Sequence, residues 1–132
     1  MNKEEDIAKK NKASPSDWIK ESQIKVYDDK VVIEIPNAQW ARFTDTKSMD
    51  PVIDSTANAI EIVPKNESEI NVGDIISFTT KYTDGTIIHR VIEKGVDEQG
   101  TYFITKGDNN ANPDPEKIRF SHVERVLVAI IY

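Results

Sequence analysis

The chain has 132 residues and no cysteine. That excludes a disulfide framework, a thiolate metal site and a cysteine nucleophile. Long apolar runs are missing too. The longest, Val126 to Tyr132, falls far short of the roughly 20 residues a spanning helix requires. Residues 1 to 12 are dense in Lys, Glu, Asp and Asn, without the apolar stretch of a cleavable export signal. Positive charge is in deficit: 17 Lys and Arg against 23 Asp and Glu leave a net charge of -6. Such a field opposes a phosphate backbone, so no nucleic-acid partner is expected. Histidine is scarce, with two residues, so imidazole chemistry has only two places to occur.

What is present suits one soluble domain, with 38% hydrophobic and 30% charged residues. Residues 1–13 lack an apolar period and read as a polar, disordered arm, leaving 14–132 as the domain. Ser14-Pro15-Ser16-Asp17 predicts a short helix ending near Gln23, with Ser14 as N-cap and Pro15 in the first turn. Trp18, Ile19 and Ile24 would give that helix a docking side. From Ile24 onward, short runs of Val, Ile, Thr, Tyr and Phe alternate with Asp, Asn, Gly and Pro, which predicts strands and turns. The expected strands are 25–27, 31–35, 59–63, 74–80, 86–94, 101–106 and 123–131. No fixed period repeats, so the expectation is a mainly β, irregular single domain rather than a propeller or solenoid.

Two segments depart from ordinary β patterning: Thr46-Lys47-Ser48-Met49-Asp50-Pro51, and Thr105-Lys106-Gly107-Asp108-Asn109-Asn110 directly after a predicted strand. Between them lie Asn71-Val72-Gly73-Asp74-Ile75 and Ile87-Ile88-His89-Arg90-Val91. Ser48 is in a turn that Pro51 stiffens and Met49 can anchor by burial. By itself it reads as an ordinary loop serine, because short motifs recur by chance. In an alternating strand, His89 shares a face with Ile87 and Val91, where a neutral imidazole can take a serine proton or simply be a hydrogen-bonded core group. Asp108, Asn109, Asn110, Asn112 and Asp114 form an amide-rich and acidic loop. That loop reads as an imidazole-orienting segment, a capped turn, or a calcium loop. The calcium reading is the weakest, because Pro113 and Arg119 stand where that loop needs Gly and Glu. His122 belongs to no motif.

Taken in order, Ser-Met-x-Pro, Asn-Val-Gly-Asp-Ile, His-Arg-Val and Lys-Gly-Asp-Asn-Asn resemble type I signal peptidases, specifically the archaeal and endoplasmic-reticulum branch. The resemblance covers about residues 42–128. It implies the β-coil fold of the LexA and signal peptidase superfamily, and a serine endopeptidase with Ser48 as nucleophile, His89 as general base and Asp114 as the acid that orients it. Asp108 is then a supporting carboxylate, and Thr46, two residues before the nucleophile, an oxyanion or positioning donor beside the Ser48 N–H. The implied substrate is a peptide or preprotein, extended, with small residues before the scissile bond. No cofactor or metal is implied.

Two features depart from that family. Lys47 stands where Gly is usual, at a cost of about 1 kcal/mol or more if the backbone there is left-handed. The 47 residues before the serine carry no membrane anchor, which fits a soluble relative, a trimmed catalytic domain, or a subunit recruited by a membrane-anchored partner through the Trp18 segment. The rival reading is a catalytically inactive peptide-binding or assembly module on the same scaffold. A self-cleaving repressor would need a catalytic lysine, and Lys94 and Lys106 lie outside the appropriate motif.

Overall fold

A computed structural model describes residues 12–43 and 46–132. Apart from Lys12 and Ala13, the expected polar arm lies outside the described residues. Among the described residues eight strands are formed: β1 (Ile24–Val26), β2 (Val31–Ile33), β3 (Gln39–Ala41), β4 (Asn58–Ile62), β5 (Ile75–Thr80), β6 (Thr83–Asp97), β7 (Gly100–Lys106) and β8 (Val123–Ile131). β1 and β2 make a separate antiparallel hairpin, and the other six form one sheet in the order β3-β4-β8-β5-β6-β7. The expected mainly β fold is what the chain adopts. Among the described residues, no helix is long and apolar enough to cross a membrane.

Among the described residues the core has two apolar clusters, drawn from alternating strand positions such as Ile76 and Phe78 and from the segments between strands. One gathers Ile70, Ile76, Phe78, Val91, Phe103, Ile118 and Val126, with Trp18 packed against it. The other gathers Met49, Ile53, Ala57, Ala59, Ile75 and Leu127. Met49 belongs to the second cluster, so the loop carrying Ser48 is fastened to the sheet by a side chain only 3% exposed.

The short helix expected from Ser14 to near Gln23 is not formed. Residues 12–18 are irregular, and a single 3-10 turn, Glu21–Gln23, follows. The reason is tertiary. Asp74, fully buried, accepts from Ser16 N (2.7 Å), Ser16 Oγ (3.0 Å), Trp18 Nε1 (2.9 Å) and Asn71 N (2.8 Å). Arg90 donates to the Ala13 carbonyl at 2.8 Å. These bonds tie Ala13, Ser16 and Trp18 to the sheet and so set the path of the segment, and a buried carboxylate requires such donors. Gly73 makes the crossing possible: with φ +102° it follows a left-handed path, and a Cβ there would overlap the Ser14 carbonyl.

β3 was not anticipated, since Gln39-Trp40-Ala41 is too short to show alternation. It gains its ladder only from β4, with Trp40 opposite Ile60. β6 runs longer than its apolar run because Thr83 and Thr86 pair with β5, and its far end pairs with β7 down to Asp97 opposite Gly100.

Candidate active site

Ser48, His89 and Asp114 come from three separate parts of the chain and meet at one edge of the large sheet. Ser48 lies in the turn after β3, which closes through Asp50 N to Lys47 O (3.2 Å) and through Val52 N and Ile53 N to Met49 O (2.9 and 3.1 Å). His89 lies in β6, opposite Ile76 of β5. It is 7% exposed, and its ring meets Phe78 edge-on at 6.3 Å. Asp114 lies in the irregular segment after β7.

Hydrogen bonds join the three in a line. His89 Nε2 is 3.2 Å from Ser48 Oγ, and His89 Nδ1 is 2.6 Å from Asp114 Oδ2. A carboxylate at Nδ1 selects the tautomer with the proton on that nitrogen, leaving the Nε2 lone pair for the serine hydroxyl. Thr105 Oγ1 also donates to Asp114 Oδ2, at 2.7 Å.

Thr46 Oγ1 is 3.1 Å from Ser48 Oγ, and the Ser48 N–H points toward the same Thr46 oxygen at 3.5 Å. Both groups sought as oxyanion donors thus lie beside the serine, with the N–H directed at the Thr46 oxygen. Lys47 between them has φ +64°, the left-handed conformation that the usual Gly adopts without cost. The turn forms with lysine because Asn109 holds it from outside: Asn109 Nδ2 donates to Lys47 O at 3.0 Å and Asn109 N to Ser48 O at 2.8 Å. Gly107 permits that approach, since a Cβ on it would lie 2.7 Å from the Ser48 carbonyl oxygen.

Asp108 faces away from the imidazole. Its carboxylate accepts from Arg90 Nε and Nη2, both at 2.8 Å, in a bidentate pair whose side chains are 7% and 2% exposed. Arg90 also donates to Gly73 O at 3.0 Å. With Asp108 held by Arg90 and Asp114 by His89 and Thr105, the two carboxylates a calcium loop would require are already engaged by protein groups. His122 occupies a 3-10 turn, Phe120–His122, before β8, away from this line.

Sequence reasoning assigned no role to Arg90, Thr105 or Asn109. Arg90 could have been suspected from strand parity, because a charged residue next to His89 must face the opposite side and needs a buried partner there. Asn109 and Thr105 lay within a quoted motif, but their partners are 62 and 9 residues away, which spacing does not reveal.

A cleft of about 500 Å³ opens in front of the line, lined among others by Arg42, Phe43, Asp84, Ile88 and Asn110. A recess of about 20 Å³ beside Ser48 is walled by Phe43, Met49, Ile53 and Ile88.

Comparison with known proteins points the same way. The chain is 43% identical over 49 residues to the signal peptidase complex catalytic subunit of Chaetomium globosum, covering 37% of this chain and 28% of that protein. It is 33% identical over 73 residues to the corresponding subunit of Lachancea thermotolerans, covering 50% of this chain and 44% of that one. Over part of its length the chain is signal peptidase-like. An uncharacterized protein of Methanocaldococcus jannaschii is 36% identical over 66 residues, which is 50% of this chain and 30% of that protein. The chain thus spans less than half the length of these curated relatives. No family model matches it, and no solved structure matches it significantly.

Proposed function

We propose that the chain is a serine endopeptidase domain of signal peptidase type, with Ser48 as nucleophile, His89 as general base and Asp114 as its orienting acid. The observation that carries the reading is the unbroken hydrogen-bonded line from Ser48 Oγ through the imidazole to the Asp114 carboxylate. In this mechanism Nε2 of His89 removes the Ser48 proton as Oγ bonds to the substrate carbonyl carbon. The oxyanion accepts from the Ser48 N–H and the Thr46 hydroxyl. The imidazolium, steadied by Asp114, then protonates the leaving amine as the C–N bond breaks, and water hydrolyses the acyl-enzyme with His89 again as base.

Two features favour an extended substrate with small side chains. Residues 83–89 of β6 pair with β5 on one side, whereas β7 joins β6 only from Arg90 onward. A peptide can therefore add as a strand along this edge in front of the serine. The 20 Å³ recess is large enough for about one water-sized group, which suits a small side chain such as a methyl. A preprotein and a membrane-anchored partner are the corresponding physiological substrate and associate. The alternative is an inactive peptide-binding module.

A fluorophosphonate electrophile tests the choice. The folded protein is expected to be phosphonylated at Ser48, and Ser48→Ala to lose both labelling and peptide cleavage while its stability changes by no more than about 0.5 kcal/mol. Unlabelled, folded wild-type protein, or full cleavage by the alanine variant, would refute the peptidase reading.

A further inference from the structure

We infer that Thr105 is a positioning residue of this site: its side chain and backbone together hold the Asp114 carboxylate against His89. The proposal rests on the peptidase reading and adds to it a residue outside the triad.

Asp114 needs such a hold. It lies between Pro113 and Pro115 in a segment without a ladder, and by itself nothing in that segment fixes the carboxylate's direction. Thr105 supplies two contacts to it. The Asp114 N–H donates to the Thr105 carbonyl at 2.8 Å, and the Thr105 hydroxyl donates to Asp114 Oδ2 at 2.7 Å. The oxygen thus gripped is the one that accepts from His89 Nδ1. Backbone and side chain are pinned to a single residue, leaving the carboxylate little freedom to rotate.

Thr105 is itself immobile. It is fully buried in β7 and stands opposite Val91 of β6, two residues beyond His89 on the same strand. Acid and base are therefore indexed to one β-ladder, so their separation follows strand register rather than loop conformation. Valine would satisfy the strand and the apolar surroundings equally well. The hydroxyl is the part that strand packing does not require. Buried without an acceptor it would be costly, and the acceptor it has is the triad carboxylate.

The test compares Thr105→Val, nearly the same shape without the hydroxyl, with Thr105→Ser, which keeps it. Thr105→Ala is carried alongside in case the valine variant is unstable. Ser48 acylation and peptide turnover are measured with the His89 Nδ1 proton resonance, which the 2.6 Å contact should place far downfield. Valine is expected to lower kcat about 10- to 100-fold, as loss of a partner that orients an active-site ligand commonly does, with KM nearly unchanged. It should also shift or broaden the resonance, and serine should restore both. A wild-type resonance and rate in a folded valine or alanine variant would overturn the proposal, as would equal losses in valine and serine. The resonance needs no turnover, so an inactive wild type would sink the peptidase reading while leaving the role of Thr105 decided by the spectrum.

Discussion

Asp108 and Asp114 are six residues apart in one loop, yet neutralising each is expected to damage different properties. In Asp114→Asn the amide can still bond to His89, but its NH2 group can face Nδ1 and favour the wrong tautomer, and it offers no charge to the imidazolium. The analogous change in serine proteases lowers kcat about 10⁴-fold, equivalent to about 5.5 kcal/mol of transition-state stabilisation. Folding should survive, because Asp114 is partly exposed and its backbone bond to Thr105 remains. Asp108→Asn instead leaves the Arg90 guanidinium, 6% exposed, facing an amide that supplies one acceptor where the carboxylate supplied two. Breaking a buried pair costs about 3–5 kcal/mol. Two carbonyls also accept from Arg90, so the lower figure of about 3 applies. For a domain of this size that lowers Tm by about 10 °C. Thermal unfolding followed by circular dichroism, with turnover measured well below both midpoints, separates the two. Near-normal turnover by Asp114→Asn, beside a folded and inactive Asp108→Asn of unchanged Tm, would refute the assignment.

Measured against Lys47→Ala, which loses the same side chain, Lys47→Gly should be more stable by about 0.5–1 kcal/mol: relief of the left-handed backbone, about 1–2 kcal/mol, exceeds the added freedom of the unfolded chain. A lower Tm in the glycine than in the alanine variant would contradict that reading of the φ of +64°. Glu61 is 4% exposed, one of its oxygens has no partner, and burial pushes its carboxyl above the ordinary 4.5. Since the folded form holds this proton more tightly than the unfolded one, the contribution is full below pH 4.5 and is lost as pH rises through the raised value. The Tm advantage of Glu61→Gln over wild type should therefore grow across that window, and a pH-independent difference would rule the effect out.

Mainly β architecture was legible in the chain, because alternation of Val, Ile and Phe with polar residues is a local signal that survives into the sheet. Strand β8 was anticipated in full, and β5 and β7 to within one residue, for this reason. Ser48 and His89 were nominated because the order of four short motifs resembles that of signal peptidases, and Asp114 through that resemblance alone. The segment around Ser14 misled: its capping residues are real helix signals, but its path is set by the buried Asp74 carboxylate and the Arg90 guanidinium, which bond to the Ser16 N–H and the Ala13 carbonyl from 58 and 77 residues away. The partners of the site were equally out of reach. That Asn109 seats the Ser48 turn, that Arg90 occupies Asp108, and that Thr105 shares an oxygen with His89 are consequences of which strands pair and in what register. Sequence thus determined which residue types the chain offers and which strands it builds. Tertiary structure alone decided distance and direction, because hydrogen bonds act over about 3 Å and residues so far apart along the chain reach that range only when the sheet is assembled.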